Sequence, residues 1–283
     1  MDLKKTTLIT ILILCFQYIS YAQDEKPITI SLSTIKTELK NNAISYAFDF
    51  FDKKIDEIAT EMIRPKGFWL LAPDLTMRSG GEDAFSSIDL QAKATYVPVR
   101  VVEVGGTPTG CSDCTLHLIH FAAGVETNND FTILNSIAEV GYEPLFSFNK
   151  KMPKIIKETT SIAIFAQGGY KFDFINAEDI NVGGDKDESE EDIEDPIFRA
   201  KGVFLFDSKK LFELGTFKFS IVGDATGWYD ILSDDFYHRI AGNFRMTLTN
   251  DDTMAIDLKY ENGSGAPNFN QGDQFGLGLT VKY

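Results

Sequence analysis

The sequence predicts an all-β chain: a transmembrane, antiparallel, up-and-down β-barrel of twelve strands, with ten as the alternative count, behind a short N-terminal helical segment. Three observations point there. From residue 67 onward apolar and polar side chains alternate in stretches of roughly ten residues divided by turn-rich pieces, the repeated signature of a membrane barrel. The apolar face returns stretch after stretch with no series of amphipathic helices to cover it. Large aromatics gather near stretch ends, where bilayer interfaces favour them. A soluble sandwich alternates too, so the uncovered face and the aromatics decide between the two.

Residues 1–22 form an export leader. Lys4 and Lys5 precede the apolar run LITILILCF, and Ser20, Tyr21 and Ala22 supply a cleavage site with small residues. The run is shorter than the ~20 residues of a membrane helix. Leu14 precedes Cys15 where a lipoprotein leader needs a small residue, so no lipid anchor is expected.

Residues 23–65 form the second unit. Ile44, Phe48, Phe51, Ile55, Ile58 and Met62 recur at steps of four and three, a helical stripe that Pro65-Lys66-Gly67 ends. It reads as a periplasmic or interfacial helix against the barrel end, or as a plug in the lumen. A third reading makes AISYAFDFF a strand, because its aromatics favour β structure.

The barrel takes residues 66–283. SIDLQAKATY puts Ile88, Leu90, Ala92, Ala94 and Tyr96 on one face, against Asp89, Gln91, Lys93 and Thr95. FRAKGVFLF sets Phe198, Ala200, Gly202, Phe204 and Phe206 against Arg199 and Lys201; MAIDLKYE sets Met254, Ile256, Leu258 and Tyr260 against Asp257, Lys259 and Glu261. Read back from the C-terminus, strands fall at 273–283, 253–261, 235–248, 215–227, 197–206 and 159–174. The stretches 131–148 and 85–104 hold one or two each, and the first strand lies near 67–78. On this reading long loops, including ENGSGAPNFNQGD and the acidic 176–196 segment, lie outside and short turns inside. Trp69, Trp228, Tyr229, Tyr260 and Tyr283 form the aromatic belt.

The last nine residues, FGLGLTVKY, carry Phe275, Leu277, Leu279, Val281 and Tyr283 on one parity. This tail resembles the C-terminal signal of Gram-negative outer-membrane β-barrel proteins of the small porin-like type. The resemblance implies an outer-membrane location, a closing strand at the C-terminus, and recognition by the barrel-insertion machinery. Tyr283 stands where that family usually has phenylalanine.

The formal charge of −15 argues against a nucleic-acid partner. Much of it is local: Glu178, Asp179, Asp185, Asp187, Glu188, Glu190, Glu191, Asp192, Glu194 and Asp195 face only Lys186. That loop reads as solvated charge. It lacks the ligand spacing of an EF-hand, and weak divalent-cation binding beside lipopolysaccharide is the most it offers. Past the leader, Cys111 and Cys114 are the only cysteines, and two in an exported chain suit a local disulfide. No resident metal or other cofactor is implied.

The inward parity carries Lys93, Lys171, Arg199, Lys201, Lys218, Arg239, Arg245, Lys259 and Lys282 against Asp89, Asp173, Asp224, Asp257 and Glu261. These are the pore-lining candidates, and they give a net-positive interior that favours anions. A salt-bridged, filled barrel is the other reading of the same set. No catalytic site is assigned. Of the three histidines, His238 lies on the lipid parity without a nucleophile two residues on, and His117 and His120, three apart, point to opposite faces of a strand. The leading function is a porin-like or plugged channel for small solutes in contact with outer-membrane lipid. A structural or accessory subunit of a larger outer-membrane complex is the alternative, and a membrane-lipid hydrolase ranks third.

Overall fold

The computed structural model describes residues 28–37, 42–50, 67–79, 85–98, 102–104, 107–109, 116–128, 131, 133–145, 160–173, 195–267 and 269–282. In chain order its strands are β1 (Ile28–Thr37), β2 (Asn42–Phe50), β3 (Phe68–Ser79), β4 (Ser87–Val97), β5 (Val102–Val104), β6 (Thr107–Thr109), β7 (Leu116–Thr127) and β8 (Ile133–Leu145). They continue with β9 (Thr160–Asp173), β10 (Asp195–Asp207), β11 (Phe212–Leu214), β12 (Phe217–Asp230), β13 (Asp235–Thr247), β14 (Met254–Ser264) and β15 (Gln271–Lys282). Twelve of them close an antiparallel barrel in the order β10, β9, β8, β7, β4, β3, β2, β1, β15, β14, β13, β12, with β12 returning to β10. β5 and β6 form a separate hairpin, and short β11 extends the turn into β12.

Twelve strands were expected, but not these twelve. The seam is β1 on β15, with Thr29 opposite Lys282 and Thr37 opposite Gln274. The N-terminal helix is therefore overturned where it can be seen. Residues 28–37 and 42–50 are barrel strands; the third reading of AISYAFDFF had the second of them, and the first was not expected. Ile44 and Phe48 are four apart, which is one helical turn but also an even step along a strand, so the same pair serves either period. Phe51, Ile55, Ile58 and Met62 lie outside the described residues. The stretches 85–104 and 131–148 hold one barrel strand each.

Closure matters because no backbone group can be left open to hydrocarbon. The outward faces are greasy and bare: Leu71 is 80% exposed, Phe236 66% and Leu277 56%. The inward parity contrasts sharply, with Asp257 at 0% and Arg199 at 3%. Polar inside and apolar outside is the inverse of a soluble domain, and it makes this a transmembrane barrel. Outward aromatics form two girdles. Trp69 packs on Tyr96 (5.2 Å) and Phe121 (5.8 Å) toward the end that carries the termini. Toward the other end, Tyr229 and Tyr260 turn their hydroxyls to Asp234 and Asp273.

Two expectations fail here. Trp228 belongs to no belt: it shares the inward parity of Asp224, and it is buried at 8% exposure. The rule of long outer loops and short inner turns also fails. The connections at the termini end are 51–67, 98–115, 146–159, 208–216 and 248–253; those at the other end are 38–41, 80–86, 128–132, 174–194, 231–234 and 265–270. Only the acidic connection is long on the far side. Even in the C-terminal half, 231–234 and 265–270 on the far side are no longer than 208–216 and 248–253 at the termini end, so the acidic connection alone carries the rule there. The leader, Cys111, Cys114 and Tyr283 lie outside the described residues.

The seam gives a direct test. Cysteines placed at Leu32 and Leu279, which face each other on the outward side of β1 and β15, are expected to cross-link on oxidation in the folded protein. The product would be read as a reducible mobility shift after unfolding. No link under conditions that preserve the fold would contradict the pairing.

Candidate functional site

The interior divides into a filled half and a hollow half. The filled half is built by β4 and β7–β10, whose inward side chains Val97, Leu118, Asn135, Gln167 and Arg199 are nearly or wholly enclosed. Most ionic groups there are paired, and Asp89 is the exception among those described. Arg199 Nη2 donates to Glu126 Oε1 at 3.1 Å, and Asn135 Nδ2 donates to the same oxygen at 2.8 Å. Lys201 Nζ and Gln167 Nε2 both donate to Glu139 Oε2 at 2.9 Å. Lys93 is bonded to Asp74 on β3. Asp89 accepts from Gln91 Nε2 at 3.0 Å.

The hollow half holds a cavity of about 330 Å³ along β1–β3 and β12–β15. It runs lengthwise. Thr29, Asp49 and Lys282 line it toward the termini end, and Gln274, Glu261 and Phe85 toward the other. Its ionic groups are clamped to the wall. Arg239 Nη1 donates to Asp224 at 2.6 Å while its Nε donates to Glu261. Arg245 grips Asp257 through two bonds, 2.7 and 3.2 Å, and Thr280 Oγ1 donates to the same carboxylate at 2.5 Å. Thr280 in turn meets Ser31 across the seam at 2.8 Å, so the network joins β13, β14, β15 and β1. Lys259 and Arg78 line the same cavity, and neither has a carboxylate within ion-pair distance among the described residues.

At the far end the chain turns back toward the lumen. The 265–270 connection, expected as an exposed loop, folds inward: Gly265 and Pro267 are buried. Phe269 stacks on Tyr237 (4.3 Å), meets Trp228 edge-on (5.5 Å) and lies under the Arg199 guanidinium (5.0 Å). A cation over an aromatic face is attractive, most of all where water is excluded. Gly263 makes the turn possible, because its φ is +114° and a Cβ there would lie 2.0 Å from the His238 carbonyl oxygen. Phe85, at 6% exposure, is the other buried aromatic on this side of the lumen.

The remaining pore-lining candidates are peripheral. Lys218 pairs with Asp252 (3.0 Å) in the β13–β14 turn. Lys171 stands opposite Asn135 and Asp195 in the ladder. The Asp173 backbone pairs with Ile133, and its side chain lies outside the described residues. The net-positive interior is overturned. Asp49, Asp74, Glu126, Glu139, Glu143 and Asp207 also face inward, against Arg78 as the one added cation, so the carboxylates no longer fall short of the cations among the described residues. Sequence reading missed them because β7 and β8 place Leu118, Ala122 and Ile137 on the inward parity as well. Apolar residues on both faces erase the alternation.

The histidines are structural in position. His238 stacks on Phe236 on the lipid side, and His117 Nδ1 meets the Tyr142 hydroxyl at 2.6 Å, also outward. His120 faces inward and has partners that spacing alone did not reveal: Thr95 Oγ1 at 2.9 Å and Glu143 Oε2 at 3.0 Å.

No family model matches the sequence, and no curated protein matches it. Among solved structures the chain is similar to the NanC porin, at 9% identity and a TM-score of 0.42, covering 90% of this chain and 100% of that one. It is similar to the KdgM porin in complex with disordered oligogalacturonate at 8% identity and a TM-score of 0.39, covering 90% and 99%. The translocator domain of the autotransporter NalP from Neisseria meningitidis follows at 6% and 0.30, covering 99% and 98%. Scores and identities this low carry no substrate or mechanism over to this chain.

The enclosed pair Arg199–Glu126 should dominate the stability of the filled half. Arg199→Ala leaves a buried carboxylate without its counter-charge, and a loss of about 3–5 kcal/mol is expected. Arg199→Leu combined with Glu126→Leu should recover most of it. Urea unfolding of the lipid-inserted barrel checks both; a single variant as stable as the parent would refute the assignment.

Proposed function

We propose that the chain is an integral outer-membrane barrel that passes small, water-soluble solutes through an off-centre path along β1–β3 and β12–β15. The observation that supports this most is the lengthwise cavity of about 330 Å³ beside a wall that is otherwise packed shut. Its surface suits polar solutes rather than lipid: hydroxyls of Thr29, Ser31 and Thr280 lie among ionic groups, of which Arg239 and Arg245 are held in fixed pairs and Lys259 and Arg78, among the described residues, are not. Paired charges present local dipoles with little net field, so the path discriminates by size and hydrogen bonding more than by sign. Phe85 narrows it at the cell-surface end, which makes the path a restricted one.

Conductance through planar lipid bilayers tests the proposal. The full chain is expected to give small, discrete steps with a reversal potential near zero in a salt gradient. Phe85→Ala should enlarge the steps. Absence of conductance from the parent and the variant alike would rule out a channel, and a reversal potential close to that of a single ion would contradict the balanced interior.

A further inference from the structure

The filled half carries a surplus of buried oxygen that its own donors do not meet. Asp89 and Glu126 face each other directly across β4 and β7, which brings two carboxylates within cross-strand reach. Glu126 has Arg199 and Asn135 as donors. Asp89 has only the amide of Gln91, on one oxygen; its Oδ1 is enclosed and without a partner.

The amides around this pair are all turned the same way. Gln91 gives its NH2 to Asp89, Asn135 to Glu126 and Gln167 to Glu139. Each leaves its carbonyl oxygen buried and unpartnered, and among the described residues of this wall Arg199 Nη1 is the one donor in the same condition. These side chains are 7%, 2% and 3% exposed. Asp89, Glu126 and Asn135 stand in one row across β4, β7 and β8, and Gln91 shares the inward face of Asp89 two residues on, so the free oxygens belong to one patch of the wall.

Two independent balances fall short in the same direction. Unpartnered acceptors outnumber unpartnered donors, and the carboxylates of Asp89, Glu126 and Glu139 exceed the cations Arg199 and Lys201 by one unit. Lys93 does not close the gap, because Asp74 holds it. A proton on Asp89 would settle the charge but supply one donor only. A small cation settles both, since hard cations bind carboxylate and amide oxygens together.

We propose that this wall binds a hard monovalent cation of the sodium class, with Asp89 Oδ1 as the charged ligand and Gln91 Oε1 and Asn135 Oδ1 as neutral ones. A single unit of residual charge favours a monovalent ion, and Arg199 at the edge of the site opposes a divalent one. The site stands apart from the solute path and does not depend on it. Its role is to satisfy the wall that shapes the path.

Thermal unfolding of the full-length barrel in detergent micelles, at equal ionic strength in sodium chloride and in choline chloride, reads the binding. Sodium should raise the midpoint by roughly 2–4 °C. Asp89→Asn keeps the shape and removes the charge, so its midpoint should be equal in both salts and, in choline, at or above that of the parent. Equal midpoints for the parent in the two salts, or a sodium effect that survives in Asp89→Asn, would overturn the site. Stabilisation by calcium but not sodium would overturn the monovalent assignment. Should the variant not fold, parent crystals soaked in thallium(I) carry the test: an anomalous peak between Asp89 and Asn135 supports the site, and none there refutes it.

Discussion

The pairing of β1 with β15 is the constraint on which the molecule depends. A twelve-strand sheet left open at that seam would present two rows of unpaired amides and carbonyls to hydrocarbon, at a cost of several kcal/mol for each group. Joining Thr29–Thr37 to Gln274–Lys282 removes both rows together. The same seam then becomes part of the interior, because Ser31 and Thr280 bond across it and Thr280 reaches Asp257. Backbone closure and the buried charge network are thus one arrangement seen from two sides.

Closure also decides what the inside can be. Twelve strands enclose more volume than their inward side chains fill. This chain uses the space unevenly. Larger apolar and amide groups, Leu118, Ile137 and Gln167 among them, close the β4 and β7–β10 side, while small or folded-back groups, Ala47, Ala241, Gly276 and Thr280, leave the other side open. Ion pairs do different work in the two halves. In the open half they hold long side chains against the wall; in the packed half they keep charges from being buried alone, where an unmatched one is costly.

Much of this was legible in the sequence because a membrane barrel writes its environment at every second residue. β4, β10, β13, β14 and β15 could be read with their facing, since each sets bare apolar residues against ionic ones. The rest was hidden for physical reasons. In β2, Ile44 and Phe48 satisfy a helical step and a strand step at once. In β7 and β8 the interior is packed with apolar groups, so both parities look alike and Glu126, Glu139 and Glu143 went unplaced. Trp228 was assigned by residue type to the interface, although its neighbour Tyr229 must face the opposite side and its parity matches Asp224. The inward fold of Phe269 and the partners of His120 join strands far apart in sequence, and no local pattern announces them.

The central claim is that alternate side chains of each strand face lipid and lumen. Nitroxide labels placed singly along β13 of the protein in lipid bilayers measure this most directly, through collision with dissolved oxygen, which concentrates in hydrocarbon. Collision should be frequent at Ile240, Gly242 and Phe244 and sparse at Ala241 and Asn243, a period of two across the strand. Equal collision at all five positions, or a period nearer to that of a helix, would contradict the account.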